Sequence, residues 1–129
     1  MKVITLKQPW ATLVAEGLKK YEFRSWKTKY RGKILIHAGS GVDKEELKKF
    51  CELGFEFPKK KILAIVEVKD CIKIDDEFNK QIISENNIVY GSKERTGYAW
   101  KLENVKKIKC DEEINGKLSF WNYEFNEEK

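Results

Sequence analysis

The alternation of apolar and polar positions divides the chain into several short strands with two or three helices between them. Residues 3–6 are a β-branched stretch, and Gln8-Pro9-Trp10 then opens a helix, since proline is tolerated in a first helical turn. Trp10, Leu13 and Val14 fall on one apolar stripe, and Gly17 is placed to end that helix. Between residues 20 and 26 the period changes to two. Tyr21 and Phe23 point one way as core residues, while Glu22 and Arg24 point the other, a carboxylate beside a guanidinium. Residues 33–38 make a second strand, apolar on both faces except at His37, and Gly39-Ser40-Gly41 reads as the turn after it. Asp43 caps a helix that carries Leu47, Phe50 and Cys51 and closes at Gly54.

Beyond Pro58 and Lys59-Lys60-Lys61, residues 62–68 are the most apolar strand. Ile62, Ala64, Val66 and Val68 share one face; Leu63, Ile65 and Glu67 share the other. A carboxylate on such a face is costly unless it is paired, protonated or at an open site, which singles out Glu67. Residues 75–84 read as a short helix through Phe78, Ile82 and Ile83, and residues 85–95 as a polar, mobile loop. Residues 96–102 alternate Tyr98, Trp100 and Leu102 against Ala99 and Lys101, and 105–110 extend the sheet. Asn115-Gly116 is a tight-turn signal, and 120–125 read as a closing aromatic strand. This order predicts an α+β fold: one domain over residues 1–125, built on a partly closed β-barrel with two or three flanking helices, and a charged tail at 126–129.

Charge changes the picture at one place. Residues 19–33 contain seven Lys or Arg and one Glu, whereas the whole chain carries only +5, so the remainder is close to neutral. Tyr21, Phe23, Trp26 and Tyr30 are set into that charge, the mixture that neutralises phosphates and stacks on bases. The candidate contacts are Lys19, Arg24 and Arg31 for phosphate or base edges and Trp26 or Tyr30 for stacking, with Glu22 orienting the cations or accepting from a base. Residues 27–33 then act as electrostatic guidance. Cys51, Cys71 and Cys110 are widely spaced, and with a single histidine they form no metal or disulfide set; no cofactor motif is present. The Gly39-Ser40-Gly41 turn before a helix has the order of a phosphate cradle, but Asp43 already occupies the cap with negative charge. His37 reads as a packed or hydrogen-bonded strand-end residue. The absence of a long apolar run or a signal-peptide core predicts a cytoplasmic protein without membrane contact.

Leu6-Lys7-Gln8-Pro9-Trp10-Ala11, followed by G-x-K-x-x-E-x-R at Gly17, Lys19, Glu22 and Arg24, resembles the ASCH domain family, named for homology to an activating signal cointegrator. Tyr30 to Ala38 is similar to that family's following strand, Ile65-Val66-Glu67-Val68 to its central strand, residues 98–105 to its late strand and Gly116 to Trp121 to its closing G-x-x-x-x-W. The resemblance implies a barrel like that of pseudouridine synthase and archaeosine transglycosylase (PUA) domains. It also implies a cleft beside the barrel that binds RNA, other nucleic acid or a nucleoside-like ligand, with Lys19, Glu22 and Arg24 in it and Glu67 opposite. Some relatives deacetylate N4-acetylcytidine with a Lys, a Thr nucleophile and a strand Glu. Here the Lys corresponds to Lys19 and the strand Glu to Glu67, but the Thr position is Glu22. A glutamate beside two cations serves as an ion-pair partner or a general base, not as the hydroxyl nucleophile. Nucleic-acid binding is therefore the leading expectation, and hydrolysis of a modified nucleoside or RNA by Lys19, Glu22 and Glu67 is the alternative.

Overall fold

A computed structural model describes residues 1–90 and 94–125. Residues 126–129, read as a charged tail, lie outside the described residues, as do 91–93. Six strands form one mixed sheet: β1 (Lys2–Gln8), β2 (Tyr21–Arg24), β3 (Gly32–Val42), β4 (Lys61–Lys73), β5 (Tyr98–Lys107) and β6 (Trp121–Asn122). Their order is β2-β5-β4-β3-β1-β6, with β1 and β3 parallel and the other pairs antiparallel. In a flat sheet β2 and β1 would stand roughly 19 Å apart, four strand spacings. Instead Arg24 Nη2 on β2 donates to the Thr5 carbonyl on β1 at 3.0 Å. The sheet has curled into a barrel whose seam is bridged by a side chain and left open by the backbone, the α+β architecture that the pattern predicts.

Inside the barrel pack Ile4, Leu6, Ile34, Ile36, Val66, Val68, Trp100 and Leu102, covered by Ala11, Val14 and Ala15 of α1 (Trp10–Ala15). That helix ends in a Schellman motif: Gly17 N–H donates to Val14 O and Leu18 N–H to Leu13 O, with Gly17 at φ +77°. Outside β2 and β5, Tyr21, Phe23 and Ala99 pack under α3 (Asp76–Glu85) and α4 (Asn87–Tyr90) through Phe78, Ile82, Val89 and Tyr90. A third cluster, Val3, Leu35, Ile62, Ile65, Ile114 and Trp121, covers the outer face of β1, β3 and β4.

Six differences from the pattern stand out. Gly39-Ser40-Gly41 is no turn: β3 runs on to Val42 because Gln8 of β1 registers against it, and a Cβ at Gly39 would stand 2.8 Å from Thr5 Cγ2. The helix after Asp43 is shorter than expected. Its side chain does accept from Glu46 N–H, but α2 (Lys44–Lys48) stops there, and a 3₁₀ turn over Cys51–Leu53 carries the chain to Gly54. In β4 the alternation slips: Ile36 opposes Ala64 but His37 opposes Ile62, so Leu63 is an extra, bulged residue and Ile62 joins the face of Ile65. Helix α4 occupies part of the segment expected to be a loop, because Val89 and Tyr90 are buried against β2. Asn115-Gly116 forms no hairpin turn; Gly116 is required by close approach to Thr5 and His37. The closing aromatic stretch pairs with β1 only at Trp121 and Asn122.

Candidate nucleic-acid interface

The Schellman turn, continued by Lys19 N–H donating to the Leu13 carbonyl at 3.1 Å, delivers Lys19 to the start of β2. Lys19 is 2% exposed; its ammonium donates to the Tyr21 carbonyl and, at 3.0 Å, to Glu22 Oε1. Glu22 Oε1 also accepts from Phe23 N–H at 3.0 Å, which leaves Oε2 facing Arg24 Nη2 at 3.6 Å. Burial lowers the Lys19 pKa, and the Glu22 carboxylate opposes that shift. The cluster is ordered from inside to outside: a buried cation, a carboxylate 13% exposed and a guanidinium 25% exposed.

Glu22 registers against Trp100 and Arg24 against Tyr98, so both side chains stand on the inner face of the sheet, at the seam. There a cleft of about 260 Å³ is lined by Glu22, Arg24, Trp10, Phe23, Lys7, Thr5 and Leu6. Arg24 Nε is buried and has no acceptor among the described residues, so the guanidinium holds one more donor than the protein satisfies. A second cavity, about 350 Å³, adjoins on the far side of Arg24. A larger cavity, about 620 Å³, lies elsewhere, between the end of α1 and residues 107–111. Two of its lysines are already engaged, Lys107 with Glu16 at 2.6 Å and Lys61 with the Asp111 carbonyl, and it holds none of the motif residues.

Of the residues singled out from sequence, Lys19, Glu22 and Arg24 come together; the others do not join them. Glu67 registers against Lys33 and Glu103, on the outer face of the sheet, whereas Glu22 is on the inner face. It pairs with Lys69 at 2.9 Å, and that ammonium holds its carboxyl below the usual range. The bulge in β4 does not rescue it, since Glu67 stays out of phase with Val66 and Val68. Trp26 and Tyr30 serve the barrel: Trp26 meets Trp100 and Phe120 edge-on at 4.7 and 5.6 Å, and Tyr30 meets Phe120 at 5.7 Å. Arg31 closes its own loop by donating to the Thr28 and Tyr30 carbonyls, with Asp70 at 3.8 Å.

Three residues were missed. Trp10 and Lys7 line the cleft, although the pattern puts Trp10 on the apolar stripe of a helix and gives Lys7 no role of its own. Their place in Lys7-Gln8-Pro9-Trp10, just before the basic segment, was the available signal. Arg95 is the third: its guanidinium lies 4.4 Å over the Phe23 ring, near enough to act on the charges of Lys19 and Glu22. Asn79 fixes it by exchanging two hydrogen bonds with its backbone. Nothing local in the sequence marks it.

Two curated relatives match part of the chain. Activating signal cointegrator 1 of Mus musculus is 30% identical over a 90-residue alignment, and that of Homo sapiens is 31% identical; each alignment covers 60% of this chain. The chain spans 15% of the length of either relative. The ASCH domain profile matches residues 4–112, from inside β1 to beyond β5, and so takes in every strand that frames the cleft. With that match over most of its length, and with Lys19, Glu22 and Arg24 gathered at the barrel seam, the chain belongs to the ASCH domain family.

Proposed function

We propose that the cleft at the barrel seam binds nucleic acid, single-stranded RNA in particular, with Glu22 and Arg24 touching the ligand and Lys19 holding Glu22 in position. The observation that carries this reading is Arg24, a partly exposed guanidinium that lines the seam cleft together with Glu22 and Trp10. Unstacked bases are recognised by aromatic faces and by hydrogen bonds to their edges, and single strands present both. Glu22 Oε2 is an acceptor for a base amine; Arg24 is a donor to a base carbonyl or phosphate. The concentration of positive charge in residues 19–33 favours a polyanion, and the family's association with RNA points the same way.

Fluorescence anisotropy with a short single-stranded RNA tests the reading. The affinity is expected to fall as salt rises, by a log–log slope of about −0.7 per phosphate contacted. Arg24→Ala and Glu22→Gln should each weaken binding by roughly tenfold. An affinity that ignores ionic strength and both substitutions would overturn it.

A second reading is hydrolysis of a modified nucleoside. It is favoured by the desolvated Lys19 beside Glu22, since burial lowers the pKa of that ammonium. Glu67 has no part in it, being on the other face of the sheet. Equal turnover of acylated cytidines by the wild type and Lys19→Ala would remove this reading.

A further inference from the structure

The two cavities at the seam share Thr5, Leu6, Lys7 and Arg24, so they are two lobes of one cleft with Arg24 between them. Their chemistry differs. The lobe described above is lined by Glu22 and Trp10. The other has Lys7, Lys117 and Arg24, the hydroxyls of Ser40 and Ser119, and no carboxylate in its lining. Much of its wall is bare backbone, at Gly39, Gly41 and Gly116.

The two lysines are not spoken for. Among the described residues neither Lys7 nor Lys117 has a carboxylate partner, whereas Lys19, Lys49, Lys60, Lys69, Lys101 and Lys107 each do. Lys117 has only a distant contact with the Trp121 ring, 5.9 Å from its centroid. The stem of Lys7 lies flat on β3, since a Cβ at Gly41 would meet its Cγ at 3.1 Å; any side chain at 41 would push the lysine away. Two unpaired ammoniums and a guanidinium around an acid-free, hydroxyl-bearing hollow suit a phosphate, whose oxygens accept several charge-assisted hydrogen bonds at once. The neighbouring lobe is hostile to a phosphate because Glu22 is there, and favourable to an amine-bearing base.

We infer that the site takes a phosphorylated nucleotide, with the base in the Glu22 lobe and the adjoining phosphate held between Lys7 and Lys117 beside Arg24; this rests on the nucleic-acid reading above. Arg24 thus stands at the junction of base and phosphate. The glycine-rich segment contributes as an extended strand that lets Lys7 lie across it, not as a helix-end cradle.

Isothermal titration of the full chain with the ribonucleosides, their 5′- and 3′-monophosphates and inorganic phosphate tests this. At low salt at least one monophosphate should bind about tenfold more tightly than both its nucleoside and inorganic phosphate. The double variant Lys7→Gln, Lys117→Gln, which keeps two long polar stems at exposed positions, should abolish that advantage. Its melting curve checks that the fold is retained. The inference is overturned if monophosphate and nucleoside bind equally, if the advantage survives the double variant, or if inorganic phosphate binds as well as any nucleotide. RNA binding that depends on Arg24 but shows no monophosphate advantage removes the phosphate lobe and leaves the function standing. Failure to bind RNA, nucleoside and nucleotide alike removes both.

Discussion

Lys19 shows how one side chain can be both a structural element and part of a site. Its ammonium is almost fully buried and is tolerated because Glu22 and the Tyr21 carbonyl receive it. Removing one member of a buried ion pair strands the other, at a cost of about 3 kcal/mol or more. Lys19→Met should therefore lower the unfolding free energy measured in urea by that order, and Glu22→Gln, which keeps an acceptor for the ammonium, by less. Equal losses would mean that packing, not charge, holds the cluster. His37 is the other buried ionisable group of consequence. Its Nε2 lies 2.6 Å from the Ile114 carbonyl, which can only accept, so Nε2 carries the proton and Nδ1 accepts from Thr5 Oγ1 at 3.1 Å. Thr5 Oγ1 in turn accepts from Trp121 Nε1 at 3.0 Å. A second ring proton would break this chain, and burial lowers the His37 pKa below its ordinary 6.5. With the folded value depressed, the unfolded chain takes up the proton first. The stabilisation is then complete above about 6.5 and is lost as pH falls through the folded value. A pH series of thermal melts should show this loss, and His37→Gln should flatten it.

At the scale of elements, two glycines with positive φ separate local from tertiary demands. Gly17 ends α1 at φ +77° with nothing within 4 Å of a notional Cβ, so Gly17→Ala should cost only the left-handed backbone, about 1 kcal/mol. Gly97, at φ +92°, precedes β5, and a Cβ there would stand 2.6 Å from the Arg24 carbonyl. Gly97→Ala should cost roughly 3 kcal/mol, because relief requires pushing β2 off β5. It should also weaken RNA binding by moving Arg24, whereas Gly17→Ala should leave affinity nearly unchanged. Chemical denaturation and anisotropy on the two variants make the comparison. The first glycine is legible as a helix stop from sequence; the second is not, since its neighbour Arg24 is far away in the chain. The same division explains the elements. Period-two alternation marked β2 and β5 correctly, but the bulge at Leu63 and the extension of β3 through Gly41 depend on partner strands that local pattern does not contain.

At the scale of the whole molecule, curling of the sheet makes the site, since only a barrel brings Arg24 of β2 to Thr5 of β1. The aromatic group Trp26, Tyr30, Trp100 and Phe120 plugs the same barrel, and Trp100 Nε1 donates to the Trp26 carbonyl at 3.4 Å. Phe120→Ala should loosen that plug and lower stability by about 2 kcal/mol, with a red shift in tryptophan emission as water enters. An unshifted spectrum would mean that Phe120 is peripheral. By itself the sequence determined the strand and helix sequence, the family, and the local cluster Lys19, Glu22 and Arg24, because a helix stop and a four-residue strand set those side chains within a few residues of one another. Only the tertiary structure decided which other residues join them. Glu67 fell on the outer face of the sheet, Trp26 and Tyr30 went to the plug, Lys7 and Trp10 came in from the preceding strand and helix, and Arg95 came from far along the chain, because closing a curled sheet depends on register and packing between strands that local pattern does not contain.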